Sequence, residues 1–357
     1  MNRLTGEPTD GLFHAGEVAL QRSVGMAERM EHVGAKVVRD FMPEQHRDFY
    51  ARLPFIIVAT VDHSGDIWPT MLTGAPGFIS SPSPRSLTIS GTPDPADPAS
   101  AGAHAGGAIG ILGIELHTRR RNRMNGDIKS AADGSLEVEV GQAFGNCPQY
   151  IQLRDISFSR ETDQTKAAQV AESGELSEEA CAIISTADTF FVASYVDRGD
   201  SRQIDASHRG GKPEFVRIDD RSQLTIPDFS GNFHFNTLGN FLVNPRAGLL
   251  FVDFKTGDML QLTGIARVIT NSLETAAFRG AERIWRFCPS RMVLRRRAST
   301  LRWTMRDNAF SPKSLRTGSW TEVATKLGAG RTTHPNGTAA LSVGARTTGS
   351  ASGEIEP

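Results

Sequence analysis

Short blocks of apolar residues predict most of the secondary structure, and the first clear block is Phe55–Val61. It is rich in β-branched residues and is followed by Asp62-His-Ser-Gly65, so we predict a strand that ends in a glycine-containing turn. Two segments before it, Glu17–Gly34 and Glu44–Leu53, carry apolar residues at helical spacing and predict helices. Further strands are predicted at Ile67–Leu72, Ser86–Ser90 and Ala108–Thr118, the last of them as a buried strand. The polar segment Arg121–Ile128 is predicted to pair with Ala108–Thr118, and the alternation of apolar and acidic residues in Leu136–Val140 predicts a half-exposed strand.

The second half of the chain repeats this order of blocks. Ser177 is placed to cap a short helix, and Phe190–Val196 then predicts a strand that matches Phe55–Val61. In the same way, Ala247–Thr256 matches Ala108–Thr118. The elements predicted in the rest of this half are strands at Glu214–Ile218, Gln223–Ile226, Ala247–Phe254, Met259–Ile269 and Val293–Trp303, and a short helix at Phe235–Val243.

The two similar halves predict two small barrels, because short and evenly spaced strands are typical of barrels. The fold class is therefore mainly β with some α (α+β), and the alternative is one irregular α+β domain. We predict a helical N-terminal extension at residues 1–50, a degenerate first barrel at 51–154, a polar linker at 155–176, a second, ligand-binding barrel at 177–310 and a C-terminal tail at 311–357. Gly, Ala, Ser, Thr and Pro dominate the end of that tail, which predicts disorder.

Composition narrows the possible partners. The 357 residues include 39 basic and 40 acidic side chains, so the net charge of −1 provides no field that would attract nucleic acid. No apolar run approaches the ~18 residues that a membrane-spanning helix needs. Three scattered cysteines and the absence of the common metal, hydrolase and nucleotide motifs predict a cytoplasmic protein without a metal site.

Two segments of the second half combine residue types that bind anions. Asp205–Arg217 brings Ser207, His208 and Arg209 next to two glycines, and the planar guanidinium of Arg209 suits a phosphate. The alternative for this segment is a polar hairpin loop. Pro227–Asn240 places five small or polar residues before and within a predicted helix N-terminus, where backbone N–H groups favour an anion, namely Ser230, Gly231, Asn232, Asn236 and Thr237. The alternative here is capping of a helix that binds nothing.

A third segment, Thr118–Gly126, carries four arginines within five residues. Arg119, Arg120 and Arg121 begin it, and they predict either a solvated hairpin tip or a phosphate contact across a domain interface. In a protein of nearly zero net charge, such a patch is the strongest local positive cluster in the first half.

Taken together in chain order, these segments resemble the pyridoxamine 5′-phosphate oxidase-like flavin-binding family. The second half does so through four strings, namely His208-Arg-Gly-Gly-Lys-Pro-Glu-Phe-Val-Arg-Ile, Leu224-Thr-Ile-Pro-Asp-Phe-Ser-Gly-Asn, Asn236-Thr-Leu-Gly-Asn and Leu260-Gln-Leu-Thr-Gly-Ile-Ala. The first half does so through Gly113–Gly126 and Gly145–Gln152. The order of the motifs is more specific than any one of them, and together they cover most of residues 50–305.

The resemblance implies two tandem split β-barrels with short flanking helices that bind FMN at the interface between barrels. In this family the two barrels come from two subunits, so the tandem chain implies an intrachain pseudo-dimer or a homodimer. One FMN per chain is implied, held mainly by the second barrel. The residues it assigns to the flavin and its ribityl chain are Ser207, His208 and Arg209, with Phe215, Val216 and Arg217 along their strand. Those assigned to the phosphate are Ser230, Gly231, Asn232, Asn236 and Thr237, with Arg119, Arg120 and Arg121 closing the pocket.

The function implied is that of an FMN-dependent oxidoreductase acting on an unknown small-molecule substrate, with NAD(P)H or a partner reductase as electron donor. Arg209 would stabilise the anionic reduced flavin, and no catalytic side chain is assigned. The string Ser230-Gly-Asn232 departs from the basic cluster of true pyridoxamine phosphate oxidases, so oxidation of a B6 vitamer is not expected. The alternatives are a non-catalytic module that binds or senses flavin, haem or deazaflavin, and a structural protein without a ligand.

Overall fold

The computed structural model describes residues 11–159, 169–171, 175–220 and 222–329. The helices within these ranges are α1 Ala15–Ser23, α2 Ala27–Val37, α3 Glu44–Arg52, α4 Glu178–Thr186, α5 Asn236–Val243, α6 Leu273–Ala277, α7 Pro312–Leu315 and α8 Trp320–Ala329. The predicted helix Glu17–Gly34 is divided in two, because Gly25 turns the chain with a φ of +68°. Ser177 caps α4 as predicted, since its side chain accepts a hydrogen bond from the amide of Ala180.

The first half of the chain forms one antiparallel sheet. Its strands are β1 Phe55–Val61, β2 Ile67–Thr73, β3 Ile79–Ser83, β4 Ser86–Ile89, β5 Ala108–Glu115, β6 Arg120–Ala132 and β7 Ser135–Asn146. They are ordered β2-β1-β5-β6-β7-β4-β3. Two more strands, β8 Arg154–Phe158 and β9 Gln169–Ala171, lie within or at the edge of the predicted linker, so the described parts of that segment are paired with other strands.

The second half forms a sheet with the same strand order. Its strands are β10 Thr189–Arg198, β11 Ser201–Gly210, β12 Arg217–Ile218, β13 Leu224–Phe229, β14 Arg246–Val252, β15 Met259–Ile269 and β16 Ala281–Arg295. They are ordered β11-β10-β14-β15-β16-β13-β12, which repeats the first sheet strand for strand, and β9 adds to β16. A last strand, β17 Leu301–Met305, pairs with β8. The predicted α+β class with two tandem β units is confirmed.

Two glycines at equivalent positions let the sheets approach each other closely. A Cβ on Gly110 of β5 would lie 2.8 Å from the backbone oxygen of Ile204 in β11, and a Cβ on Gly248 of β14 would lie 2.4 Å from that of Ile67 in β2. Each sheet therefore inserts its second strand against the fifth strand of the other. This exchange buries an apolar cluster between the sheets, including Ile57, Met71, Leu112, Phe191 and Leu250.

Two predicted strands have the wrong bounds, and the alternative of a polar hairpin loop for Asp205–Arg217 is wrong for the first part of that segment. Ser201–Gly210 is a strand, because its backbone pairs with β10 along its whole length. Consequently the predicted strand Glu214–Ile218 shrinks to its last two residues. The predicted strand Val293–Trp303 is two strands, since β16 ends at Arg295 and β17 begins at Leu301.

The C-terminal prediction is also wrong in part. Residues 312–315 and 320–329 are helices, and the indole of Trp320 donates to the backbone oxygen of Phe215 at 2.9 Å. Gln152 ties the same segment to the second barrel, because it donates to Gly211 and to Ser314 at 3.0 and 3.1 Å. The rest of the predicted tail, residues 330–357, lies outside the described residues.

Candidate functional site

A cleft lies between the two barrels, with about 820 Å³ of empty space that includes the solvent at its mouth. The first barrel lines the cleft with β6, the end of β7 and the residues that follow it. The second barrel lines it with β11, β13, the loop after β13 and the start of α5.

Most of the residues predicted from the sequence line this one cleft. They are Ser207, His208, Arg209, Phe215, Ser230, Gly231, Asn232, Asn236, Thr237 and Arg121. The structure therefore brings the three separate segments together, across both barrels.

Four predicted residues lie outside the cleft. Arg119 donates to the backbone oxygens of Ile151 and Ala309. Arg120 lies over the ring of Phe49. The other two lie elsewhere in the second barrel. Val216 is buried in its apolar core, and Arg217 pairs with Asp219 and Glu274.

The strand geometry of β6 explains which arginines reach the cleft. Side chains alternate between the two faces of a strand, so Arg121 and Arg123 share a face and Arg120 lies on the other. Arg123 lines the cleft and was missed, although the alternation within the arginine-rich segment could have identified it. Arg283 has no local signal in the sequence, and it comes from a part of β16 that was not predicted as a strand.

The start of α5 is open towards the cleft. Its N-cap residue, Phe235, has a left-handed backbone with φ of 59°, and no side chain caps the helix. Phe233 also has a positive φ of 63°, so two non-glycine residues hold strained conformations in the loop before the helix. The amide groups of the first turn, at Asn236, Thr237 and Leu238, belong to residues that line the cleft. Such amides, with the helix dipole, form a favourable site for an anion.

Four arginines line the cleft, and three of them are paired with carboxylates. Asp228 accepts from Arg209 at 2.8 Å and from Arg283 at 3.0 Å, so one carboxylate lies between two cations. Arg123 pairs with Asp205. Arg283 also pairs with Glu282 at 2.6 Å, so these three arginines share three carboxylate partners, which orient the guanidinium groups.

Arg121 has no carboxylate partner among the described residues. Its guanidinium donates to the backbone oxygen of Cys147 at 2.8 Å and contacts Nδ1 and the backbone oxygen of His208 at 3.3 Å. Burial, followed by the repulsion of Arg123, lowers the pKa of Arg121 to about 9. A partly buried cation without a counter-ion is costly, and an anion bound in the cleft would relieve that cost.

His208 is neutral in this environment. Burial, and then the nearby charge of Arg121, lowers the pKa of His208 well below its usual range. Because a guanidinium can only donate, Nδ1 of His208 accepts from Arg121 and the proton of the neutral ring is on Nε2. The histidine therefore helps to hold Arg121 in place.

Aromatic side chains form part of the wall of the cleft. The rings of Tyr150 and Phe229 are stacked with centroids 5.2 Å apart, and Arg283 lies over the ring of Phe235 at 4.6 Å. Phe215 and Phe233 also line the cleft. Arginines and aromatic rings together suit a ligand that combines a planar ring system with an anionic group.

The place that corresponds to this cleft when the two sheets are aligned is filled by the chain itself. Aligning Gly110 with Gly248 makes Gln261 of β15 equivalent to Arg123 and Thr70 of β2 equivalent to Ser207. Both donate to the carboxylate of Asp97, Gln261 at 2.9 Å, and Arg295 donates to it at 2.5 Å. Asp97 is 2% exposed, so a buried carboxylate lies where an anion would bind.

Within the described ranges, no group of three or more His, Cys, Asp or Glu side chains could hold a metal ion. The same residues include no helix that is long and apolar enough to cross a membrane.

No family model and no curated protein matches this sequence. Among solved structures, the chain is similar to HupZ of Group A Streptococcus, with a TM-score of 0.27, 15% identity and coverage of 33% of this chain and 91% of that one. A Clostridium acetobutylicum protein related to general stress protein 26, of the pyridoxine-phosphate oxidase family, has a TM-score of 0.26 and 11% identity, with coverage of 37% of this chain and 95% of that one. The FAD-binding protein of Mycobacterium smegmatis has a TM-score of 0.24 and 16% identity, with coverage of 34% of this chain and 96% of that one. Each of these matches covers about a third of this chain.

Proposed function

We propose that this protein binds FMN in the cleft between its barrels and uses it for oxidation and reduction of a small molecule. The observation that carries the proposal is the combination of an uncapped α5 N-terminus with Arg121, a cation that has no carboxylate partner among the described residues. An anion held between them would satisfy the helix amides and compensate the buried charge.

The residues present fit the two parts of FMN. The start of α5 with Ser230, Asn232 and Thr237 would hold the phosphate, and open space around the α-carbon of Gly231 leaves room for it. Arg209 and the wall formed by Tyr150 and Phe229 would hold the planar ring. The side chain of Asn232 is already oriented, because it donates to Asn146 of the first barrel at 2.8 Å.

When bound, FMN supplies hydride or electron transfer, and the protein supplies binding, orientation and electrostatics. The guanidinium of Arg209, fixed by Asp228, would stabilise negative charge on the ring. His208 stays neutral and keeps Arg121 aimed at the cleft. The electron donor, whether NAD(P)H or a partner reductase, and the identity of the substrate are left to a reductant screen.

One FMN per chain is part of the proposal. The equivalent place in the other half already contains the carboxylate of Asp97, which binds to Arg295, Gln261 and Thr70. A phosphate would repel this carboxylate and would find its donors taken. The two sheets have the same strand order, but only one of the two related places is open to an anion.

Ser230→Asp is expected to weaken FMN binding by about tenfold or more, because a carboxylate placed in the phosphate cradle repels the phosphate. The matched control is Ser230→Asn, which has the same size without the charge. Ser230 is partly exposed, so both variants are expected to fold. Titrations with FMN and with riboflavin, followed by flavin fluorescence, measure the effect. An equal loss for both ligands would contradict the placement of the phosphate.

A further inference from the structure

Helix α1 of the N-terminal extension lies directly against α5. A Cβ on Gly16 would be 2.1 Å from the backbone oxygen of Gly239, so the two helices touch at glycines. At the same contact, Nε2 of His14 lies 2.7 Å from Oδ1 of Asn240, and Nδ2 of Asn240 donates to Oγ of Ser194 in β10 at 3.0 Å. The extension is therefore built into the second barrel at the helix whose N-terminus opens into the cleft.

This contact delivers a carboxyl group to the first residue of α5. Glu17 is 4% exposed, and its Oε1 accepts from Nδ2 of Asn236 at 2.5 Å, while its Oε2 accepts from the amide of His14 at 2.9 Å. On its other side, Oδ1 of Asn236 accepts from Arg123 at 3.2 Å. Because the guanidinium can only donate, this contact fixes which end of the Asn236 amide faces Glu17. Asn236 is thus held between a carboxyl group and a cation.

The groups that face Glu17 come from three elements. Nε2 of His14 is 3.5 Å from Oε2, and burial lowers the pKa of this histidine to about 4, which keeps it neutral near pH 7. Arg123 of β6 and Asp205 of β11 form a buried pair beside Asn236. The pKa of Glu17 is raised to about 8, mainly by burial and also by the carboxylate of Asp205, while the hydrogen bonds from His14 and Asn236 and the charge of Arg123 act in the opposite direction.

We propose that Glu17 is a positioning residue for the phosphate site and that its carboxyl group takes up a proton when an anionic ligand binds at α5. The inference rests on the proposed function, because the anion is the phosphate of FMN. A dianion at the start of α5 adds negative charge one hydrogen bond away from Glu17 and therefore disfavours the carboxylate. The proton comes from solvent, and no other bond changes.

The sign of the pH dependence follows from this linkage. Below about pH 8 the carboxyl group of the free protein is already protonated, so binding takes up no proton there. Above that pH Glu17 of the free protein is a carboxylate. On binding, this carboxylate either takes up a proton or repels the phosphate of FMN. Affinity for FMN therefore falls as pH rises through 8, by up to about tenfold per pH unit. Arg121, whose pKa is lowered to about 9, loses charge in the same direction, and a variant of Glu17 separates the two effects.

The test is calorimetric titration of FMN into the full chain near pH 8.5, in two buffers with different ionisation enthalpies. Wild type is expected to take up about half a proton more than Glu17→Gln, which keeps an oxygen acceptor for Asn236 and cannot titrate. Between about pH 7.5 and 9.5 the variant is also expected to show a flatter affinity profile. Equal proton uptake by the two proteins would overturn the inference while leaving the proposed function intact. A wild type that does not bind FMN would overturn both.

If Glu17→Gln does not fold, proton uptake by Glu17 can be measured in wild type. NMR of protein with 13C-labelled glutamate side chains reports the pKa of Glu17 in the free protein and in the FMN complex. A pKa of Glu17 near 8 in the free protein that rises when FMN binds supports the inference. A carboxyl group that titrates below pH 6 in both states would overturn it.

Discussion

The protein is expected to lose most of its stability between pH 6.5 and pH 4, because it buries four neutral histidines. Burial lowers the pKa of His14, His46 and His234 from 6.5 to about 4 each, and lowers that of His208 as well. In the unfolded chain these rings take up protons below about pH 6.5, whereas in the folded chain they remain neutral. The unfolded state is therefore favoured as pH falls.

The size of this effect is large compared with typical folding free energies. The difference between 6.5 and about 4 corresponds to about 3 kcal/mol for each histidine at pH 4, since one pH unit is worth about 1.4 kcal/mol. Three such groups contribute about 10 kcal/mol, and single domains are stable by about 5–15 kcal/mol. Glu17 acts in the opposite direction, because its carboxyl group stays protonated in the folded chain while the unfolded chain takes up that proton only near pH 4.5. Between pH 6.5 and 4.5 it therefore offsets about 3 kcal/mol of the loss, and the histidines still dominate.

Denaturant unfolding as a function of pH measures the effect. His234→Phe is expected to shift the loss of stability to lower pH, because His234 lies between the rings of Phe13 and Phe144 and phenylalanine keeps those contacts without titrating. The matched control is His104→Gln at an exposed position, which is expected to leave the profile unchanged. A free energy of unfolding that stays constant from pH 6.5 to 4 would show that the histidines are not held neutral.

Asp97→Ala is expected to destabilise the protein by about 3–5 kcal/mol, because it leaves the guanidinium of Arg295 buried without its partner. The carboxylate also accepts from Gln261 and from the amide of Ala99, both at 2.9 Å. Removing it leaves several buried donors without an acceptor, and each such donor costs about 1–3 kcal/mol.

The control for this prediction is the double variant Asp97→Ala/Arg295→Met. It removes the cation together with its partner and is expected to be more stable than Asp97→Ala alone, as a double-mutant cycle would measure. If the free energy of unfolding of Asp97→Ala were within about 1 kcal/mol of that of wild type, it would contradict the view that this carboxylate fills the place equivalent to the anion site.

The repeat of β units was predictable from the sequence because its strands carry strong local patterns. Phe55–Val61 and Phe190–Val196 are both apolar and β-branched, and they form β1 and most of β10, the first strand of each of the two equivalent sheets. Strand β11 was not predictable in this way, because Ser, His and Arg read as a loop. Its backbone is held in the sheet by pairing with β10, and the strand lies against β5 and β6 of the other barrel. A polar strand at an interface has no local signature that distinguishes it from a loop.

The site shows a similar division. The place of residues 230–237 at the cleft was predictable because small and amide residues precede a helix. The charge network that completes the cleft was not readable, since Asp228, Arg283 and Arg209 come from three strands that only tertiary structure brings together. Likewise, nothing in the N-terminal sequence indicated that Glu17 would reach Asn236, a residue 219 positions later in the chain.

The most direct test of the central claim is a titration of the purified chain with FMN, followed by visible absorption and compared with riboflavin. The account predicts a spectral change that saturates at one FMN per chain, with riboflavin binding at least about tenfold more weakly because it lacks the phosphate. The absence of any spectral change with FMN, or equal affinity for riboflavin, would contradict the claim that the cleft is a site for a planar ring with an anionic group.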